Sequence, residues 1–379
     1  MDIYRVKILK LDHQARGIAK INDKVIFIPY ALPNEIVDVE IIQDKKNYMI
    51  GKVVNIVSEH DRVKPMCPYF GICGGCDLQN YPYSKQLEFK YNKVVEIMDK
   101  YAKLNKDIIN DIVPSIDIYN YRNKVTFKYN GSIGYFKKNS NDIVNIDYCH
   151  IASIHINRLI DVLNTLDIKD NVVVKSGIND LIIKDGVCIN GLDVTYDFGN
   201  LKYMVGKDSF FQVNTKQAIN MYNKILDLCD LSINDTVLDL YCGTGSIGLF
   251  LAHKCKLVIG VEIVKESIDY AIKNMEINNI SNAKFYCGDA GSILSKLDVL
   301  PDVVIVDPPR SGLDELAINN VIKLNSKKII YVSCGPMTLA RDLNILKEHY
   351  NIISITPFDM FAQTYHVECV VLLEKKSNI

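Results

Sequence analysis

Val237-Leu238-Asp239-Leu240-Tyr241-Cys242-Gly243-Thr244-Gly245 reads as an apolar strand that breaks into a glycine turn, with a helix opening at Ser246. Glycines at such a turn let backbone approach a ligand, and the first helical N–H groups face the same crevice. Downstream, short β-branched runs alternate with helical stretches. KLVIGVEI precedes a helix predicted over 265–278, and AKFYCGD, DVVIVDPP and KKIIYVSC follow in turn. Strands apolar on both faces, separated by helices, predict a parallel doubly wound sheet.

Candidate ligand groups gather at the C-terminal ends of these strands, the ligand edge of such a sheet. Gly243, Gly245 and Gly248 loosely satisfy GxGxxG, so a nicotinamide enzyme is one reading. Glu262 stands 19 residues after Gly243, where a ribose would present its hydroxyls. Asp289 ends the third strand and suits an adenine amino group, and the fourth ends in Asp307-Pro308-Pro309-Arg310. Amino-group methyltransferases carry an aromatic residue at the fourth position of that element; Arg310 there points to a different acceptor atom.

The fifth strand ends in Ser333-Cys334-Gly335-Pro336, which puts a thiol at the ligand edge. The run Tyr365–Val371 reads as a strand whose alternation would put His366 and Glu368 on one face. A carboxylate in such an apolar strand is costly unless paired or functional. Thiol, carboxylate and methyl donor together suggest one reaction. C5 of uracil is a poor nucleophile until a thiolate adds to C6, and a base must later remove the C5 proton. Cys334 and Glu368 fit those two roles.

These residues resemble the RNA uracil-5 methyltransferases that make 5-methyluridine. DLYCGTG (239–245), DPPRSG (307–312), VSCGP (332–336), DMFAQTYHVE (359–368) and FFQVN (210–214) look like that family's motifs, in its order. The resemblance implies Gln212, Tyr241, Glu262 and Asp307 around S-adenosylmethionine, with Asp289 beside them. It also implies Cys334 as nucleophile and Glu368 as base. Two positions depart from the family: Gly335 stands for its usual Asn and Ala362 for its usual Pro, changes expected to loosen the substrate loop.

Eleven cysteines without an apolar leader argue for metal or catalytic chemistry in a reducing cytosol rather than disulfides. Cys67, Cys73 and Cys76 are separated by five and then two residues, and Cys149 follows after 72 more. Four thiolates suit zinc or an iron–sulfur cluster, and only one C-x2-C pair of the zinc type is present. Gly74 and Gly75 leave N–H groups free to approach cluster sulfides. The spacing resembles the [4Fe-4S] site of the ribosomal-RNA members of the family, which implies a structural or RNA-positioning cluster. Cys188, Cys229, Cys255, Cys287 and Cys369 read as packing residues. His150 and His155 are near Cys149 but are not read as ligands.

Residues 1–58 alternate in short β-rich runs broken by turn formers, the pattern of a small antiparallel barrel. DHQARGIAK (12–20) is similar to the TRAM domain found in front of many of these enzymes. Lys7, Lys10, Arg16 and Lys20 are candidate backbone contacts for RNA, as are Arg122 and Lys124. The net charge of −1 hides an asymmetry: residues 1–150 carry 22 basic and 18 acidic side chains, the remainder 22 and 27. That fits an RNA-facing front on an acidic enzyme. No apolar run approaches membrane-spanning length, so no membrane association is expected.

The expected architecture is therefore tripartite. Residues 1–58 form a TRAM/OB-like RNA-binding barrel, 59–200 a central α+β iron–sulfur module, and 201–379 an α/β Rossmann-like S-adenosylmethionine methyltransferase domain. The expected activity is C5 methylation of a uridine in RNA, with 23S ribosomal RNA favoured and no obligate protein partner implied. Transfer RNA as substrate, and an RNA-binding iron–sulfur protein without catalysis, are the alternatives.

Overall fold

The computed structural model describes residues 3–294 and 300–376. At the N-terminus six strands between Ile3 and Ser58 form one sheet. Their alternation sends Val6, Ala19, Ile26, Ile28, Val37 and Val39 into a common core. The expectation of an all-antiparallel barrel needs one correction. Lys24–Pro29 pairs parallel to Tyr48–Ser58, because the strand Ile36–Asp44 intervenes between them in sequence and pairs on the far side. Buried Glu35 takes the Arg62 guanidinium at 2.6 Å (Nε) and 2.8 Å (Nη2), which pins this sheet to the segment that follows.

The middle region is a six-stranded antiparallel sheet between Lys124 and Asn190, with helix Ile154–Asn164 packed on it. Ahead of it lies helix Tyr83–Ile97, extended by a wider turn to Ala102 and closed by Lys103 at φ +56°. The boundary expected at residue 200 falls inside a hairpin. Asp193–Phe198 pairs with Leu201–Gly206, and its Val194, Tyr196, Phe198, Tyr203 and Val205 join the core of the following sheet.

That sheet has seven strands: β1 (Thr236–Leu240), β2 (Leu257–Glu262), β3 (Ala283–Cys287), β4 (Val303–Val306), β5 (Lys328–Ser333), β6 (Tyr350–Phe358) and β7 (Glu368–Lys375). Their spatial order is β3-β2-β1-β4-β5-β7-β6, with β7 antiparallel to β5 and β6 and the first five strands parallel. The near-continuous apolar strands follow from burial on both faces. Val237, Ile305, Ile330 and Val370 fill one layer, while Leu238, Val304, Ile329 and Val371 fill the other. The strand order reverses between β1 and β4, which opens a crevice beyond their C-terminal ends. None of the described helices is long and apolar enough to cross a membrane.

Candidate active site

The turn after β1 bends sharply at the crevice, through three left-handed residues within five positions. Tyr241, Gly243 and Gly245 all have positive φ, at 63°, 53° and 76°. A left-handed tyrosine is costly, and such conformations cluster where backbone must take a set path around a ligand. A Cβ on Gly243 would meet nothing within 4 Å, so this turn has open space above it. Glu262, at the end of β2, locks the turn from beside. Its Oε2 accepts from Gly243 N at 3.2 Å, and Oε1 accepts from Ile263 N and Val264 N at 2.8 and 2.9 Å. Asp289 is exposed and accepts from Ser292 N at 3.0 Å, opening a short helix.

Two buried acceptors have no partner among the described residues, Gln212 Oε1 and, on β1 itself, Asp239 Oδ1. Asp239 uses its other oxygen to accept from Gly248 N at 2.9 Å, and burial pushes its carboxyl up to about 7. An orphaned buried acceptor costs about 1–3 kcal/mol unless a ligand satisfies it. The amide of Gln212, 4% exposed, therefore fits an amino-bearing ligand that completes its hydrogen bonding.

The second cluster is built by sheet register. Ser333 of β5 pairs with Cys369 of antiparallel β7, so the next rung sets Cys334 opposite Glu368. β4 runs parallel beside β5, and Asp307 follows its last residue. Three functional groups from distant segments thus meet at one sheet edge. Burial first, and then Asp307, pushes Glu368 up to about 8, while Arg310 pulls it down. Burial also pushes Asp307 up to about 7. The Cys334 thiol is raised by burial and by Glu368 and Asp307, and lowered by Arg310. No hydrogen bond from the described residues reaches the side chain of Asp307 or Glu368, which leaves both carboxyls available to a ligand. Arg310 is exposed, and among the described residues it is the cation that favours the Cys334 thiolate.

His366 departs from expectation. The strand begins at Glu368, and Tyr365–Val367 is irregular backbone. Its partners come from elsewhere, with Lys93 Nζ donating to Tyr365 O at 3.0 Å and His366 N donating to Thr364 Oγ1 at 3.2 Å. The imidazole packs on the Tyr365 ring and is pushed down to about 3 by burial and by Arg310, Lys93, Lys90 and Arg122, so it stays neutral. The loosening expected at Ala362 is absent. Ala362 is fully buried, and its carbonyl accepts from Tyr121 Oη at 2.9 Å. Gly335 caps helix Pro336–Leu346 with an ordinary negative φ.

The four cysteines singled out by spacing come together. Cys67, Cys73, Cys76 and Cys149 line one cavity of about 250 Å³ with Tyr135 and His150. Gly75 N donates to Cys73 Sγ at 3.4 Å, as its position between the cysteines suggested. Burial pushes the Cys73 thiol up to about 11 and the Cys76 thiol higher still. Among the described residues no three His, Cys, Asp or Glu side chains converge as they would on a single metal ion. The described cysteines are free thiols. His155 pairs with Asp180 at 2.7 Å, away from these thiols.

The cations expected to contact RNA have mixed fates. Lys7 and Lys20 are exposed, whereas Lys10 pairs with Glu96 and Arg16 with Asp12. Arg122 lines the cysteine cavity and donates to Lys124 O at 2.9 Å, and burial lowers the Lys124 ammonium. Sequence reasoning missed two buried lysines. Lys175 donates to the carbonyls of Gly206, Lys207 and Ser209 at 2.6, 2.9 and 2.9 Å, clamping the segment that leads to Gln212. Lys90 pairs with Asp359 at 2.5 Å with both side chains fully buried. Lys175 follows the apolar run Val172–Val174, a signal in the sequence, whereas Lys90 lies in a mixed polar stretch that gives none.

Comparison with known proteins places these observations. Residues 161–376 match the family described as tRNA (uracil-5-)-methyltransferase, and residues 2–54 match the TRAM domain. The chain is 34% identical to an "uncharacterized RNA methyltransferase" of Staphylococcus aureus (strain N315), covering 99% of this chain and 98% of that one. A protein of the same description from Staphylococcus epidermidis (strain ATCC 12228 / FDA PCI 1200) is 33% identical, over 98% of this chain and 97% of its own. Among solved structures, the tRNA (uracil-54, C5)-methyltransferase of Pyrococcus abyssi, in complex with S-adenosyl-L-homocysteine, superposes with a TM-score of 0.79 at 26% identity. That match covers 98% of this chain and all of the other.

Proposed function

The chain belongs to the tRNA (uracil-5-)-methyltransferase family of S-adenosylmethionine-dependent RNA methyltransferases, with a TRAM domain at its N-terminus, and on that premise we propose that it methylates C5 of a uridine through Cys334 and Glu368. One observation carries this reading: a thiol and two carboxyls from separate segments converge at the ligand edge of the sheet, with no hydrogen bond from the described residues reaching either carboxyl.

Gln212, Tyr241, Glu262, Asp289 and Asp307 would hold S-adenosylmethionine, which supplies an electrophilic methyl group when bound. The unpartnered Gln212 Oε1 and the open space above Gly243 fit that ligand. Cys334 Sγ, as thiolate, adds to C6 of the uracil and sends electron density to C5, which becomes nucleophilic. After C5 has gained the methyl group, Glu368 takes the C5 proton. The C–H electron pair then re-forms the C5–C6 double bond, and the C6–S pair returns to Cys334. A carboxyl held near 8 suits this work, since a base titrating near the operating pH has both the affinity and the free form needed. The uridine must leave its stack for the thiolate to reach C6.

Cys67, Cys73, Cys76 and Cys149 would hold a [4Fe-4S] cluster. Four thiols around one cavity, with a backbone N–H aimed at a cysteine sulfur, fit that group. A zinc ion, with Zn–S about 2.3 Å, would need the thiols to converge on one point, which they do not. Bound there, a cluster would cross-link the 67–76 segment to residue 149, and the methyl transfer needs no redox step.

The cysteine spacing favours 23S ribosomal RNA as substrate, with the TRAM domain and the exposed Lys7 and Lys20 contacting its backbone. The similarity to a transfer-RNA enzyme over the full chain favours tRNA. Anaerobic incubation of the full chain with S-adenosylmethionine and unmodified 23S or transfer RNA, followed by nuclease digestion and mass spectrometry, separates them. One added methyl on uridine of the 23S transcript is expected. Methylation of transfer RNA alone would overturn the substrate assignment, and methylation of neither would overturn the catalytic reading in favour of an RNA-binding protein.

A further inference from the structure

The loop Asp359–Val367 leads directly into Glu368, and one face of helix Tyr83–Ile97 grips it along its length. Tyr83, Gln86, Lys90 and Lys93 recur at spacings of three and four, so they share that face. Tyr83 Oη donates to Asp359 Oδ2 at 2.8 Å, and Lys90 Nζ donates to Asp359 Oδ1 at 2.5 Å and to Phe361 O at 3.0 Å. Gln86 pairs with Gln363 through both ends of its amide, donating to Oε1 at 3.0 Å and accepting from the backbone N at 3.2 Å. Lys93 Nζ reaches Tyr365 O at 3.0 Å. From the other side Gln363 O accepts from Asp77 N and Leu78 N at 2.9 and 3.0 Å.

The loop so held is itself largely buried, with Asp359, Met360, Ala362, Gln363, Thr364 and Val367 all out of solvent. Lys90 and Asp359 are both fully buried, and a buried ion pair is a poor source of net stability because desolvation offsets its attraction. What such a network does supply is a fixed geometry, since any displacement leaves a charge or an amide unpaired. The geometry fixed is that of the residues before Glu368. Cys334 is held differently, between β5 and the helix Pro336–Leu346, and no hydrogen bond among the described residues joins it to Tyr83, Gln86, Lys90 or Lys93.

We propose that Gln86 and Lys90 are positioning residues for Glu368: the helix face sets where the proton-abstracting carboxylate lies, independently of the thiol that forms the covalent bond. The inference rests on the roles given above to Cys334 and Glu368. It separates the two halves of the reaction. When the loop slackens, the thiolate still adds to C6 and C5 is still methylated, but the C5 proton is no longer removed. The C6–S bond then persists, and protein remains covalently joined to RNA.

The test uses the full chain prepared anaerobically, S-adenosylmethionine and the RNA transcript methylated by the wild type. Covalent RNA–protein adduct is read on denaturing gels, alongside turnover and single-turnover methyl transfer. Lys90→Met alone would strand a buried carboxylate, so the variants are Gln86→Leu and the doubly neutralised Lys90→Met/Asp359→Asn. Both should lose turnover roughly 10–100-fold, the scale of a misplaced base, and accumulate adduct. Single-turnover methyl transfer and KM for S-adenosylmethionine should stay within about threefold of wild type. Turnover that falls without added adduct, or together with donor binding, would refute the positioning role in favour of general loss of structure. Wild-type turnover in both variants would refute it as well. Glu368→Gln and Cys334→Ala tell a failed inference from a failed mechanism: the first must accumulate adduct and the second must form none. If either control misbehaves, the roles of Cys334 and Glu368 fall, and the inference with them.

Discussion

Glu368→Gln offers a test of the site that needs no RNA. The carboxyl titrates ordinarily at 4.5, and in the folded chain it is pushed up to about 8, mainly by burial and then by Asp307. Below pH 4.5 folded and unfolded forms are both protonated, so the group adds nothing to the pH dependence. Between about 4.5 and 8 the unfolded chain has released its proton while the folded chain keeps it. Stability therefore falls as pH rises through that window, and above about 8 the full cost is present. At 1.36 kcal/mol per pH unit the shift amounts to roughly 5 kcal/mol. Asp307, pushed to about 7 in the same crevice, shares the repulsion, so the part that one substitution relieves is set at about 2–3 kcal/mol.

Glutamine keeps the shape and cannot ionise, so the variant should match wild type near pH 5 and exceed it progressively towards pH 9. At about 2–4 °C per kcal/mol, the thermal midpoint at pH 9 should be higher by roughly 5–10 °C. Scanning fluorimetry of both proteins across pH 5–9, at constant ionic strength, reads the difference directly. The same variant should be inactive, the trade expected where a functional carboxyl is held against its solvation preference. Parallel stability curves for the two proteins would refute the reasoning, because they would mean that Glu368 ionises as freely in the fold as outside it.

The rate of adduct formation should rise with pH through 7–9, because the Cys334 thiol is raised and must act as the thiolate; a flat single-turnover profile would contradict this. Lys175→Met should raise KM for S-adenosylmethionine about tenfold, or 1.4 kcal/mol, by freeing the 206–209 carbonyls ahead of Gln212, with isothermal titration of the donor as the check. Gly260→Ala should destabilise the chain by about 1–3 kcal/mol in denaturant unfolding. Its Cβ would lie 2.4 Å from the Phe285 ring and 3.0 Å from Cys242 Sγ, in a packed layer.

What the sequence makes legible here is local chemistry. The run Val237–Gly245 announces strand, turn and helix because burial on both faces, a glycine turn and a helix start coincide within a few residues. The cysteine motif is legible for the same reason, three of its four members lying within ten residues. Pairing direction is not legible: the parallel contact of Lys24–Pro29 with Tyr48–Ser58 depends on the strand between them in sequence pairing on the far side, and alternation is identical for either direction. The start of β7 was misjudged because period two runs from Tyr365 onward, yet side chains of Lys93 and Thr364 take the backbone groups that a neighbouring strand would have taken. Lys90 and Asp359 are 269 positions apart, and nothing near either one indicates the other. In both places the failure has one origin. The loop before Glu368 is shaped by a helix from another part of the chain, so its conformation is a tertiary property. That is also the reason the helix face can govern proton removal while leaving the thiol at the tip of β5 untouched.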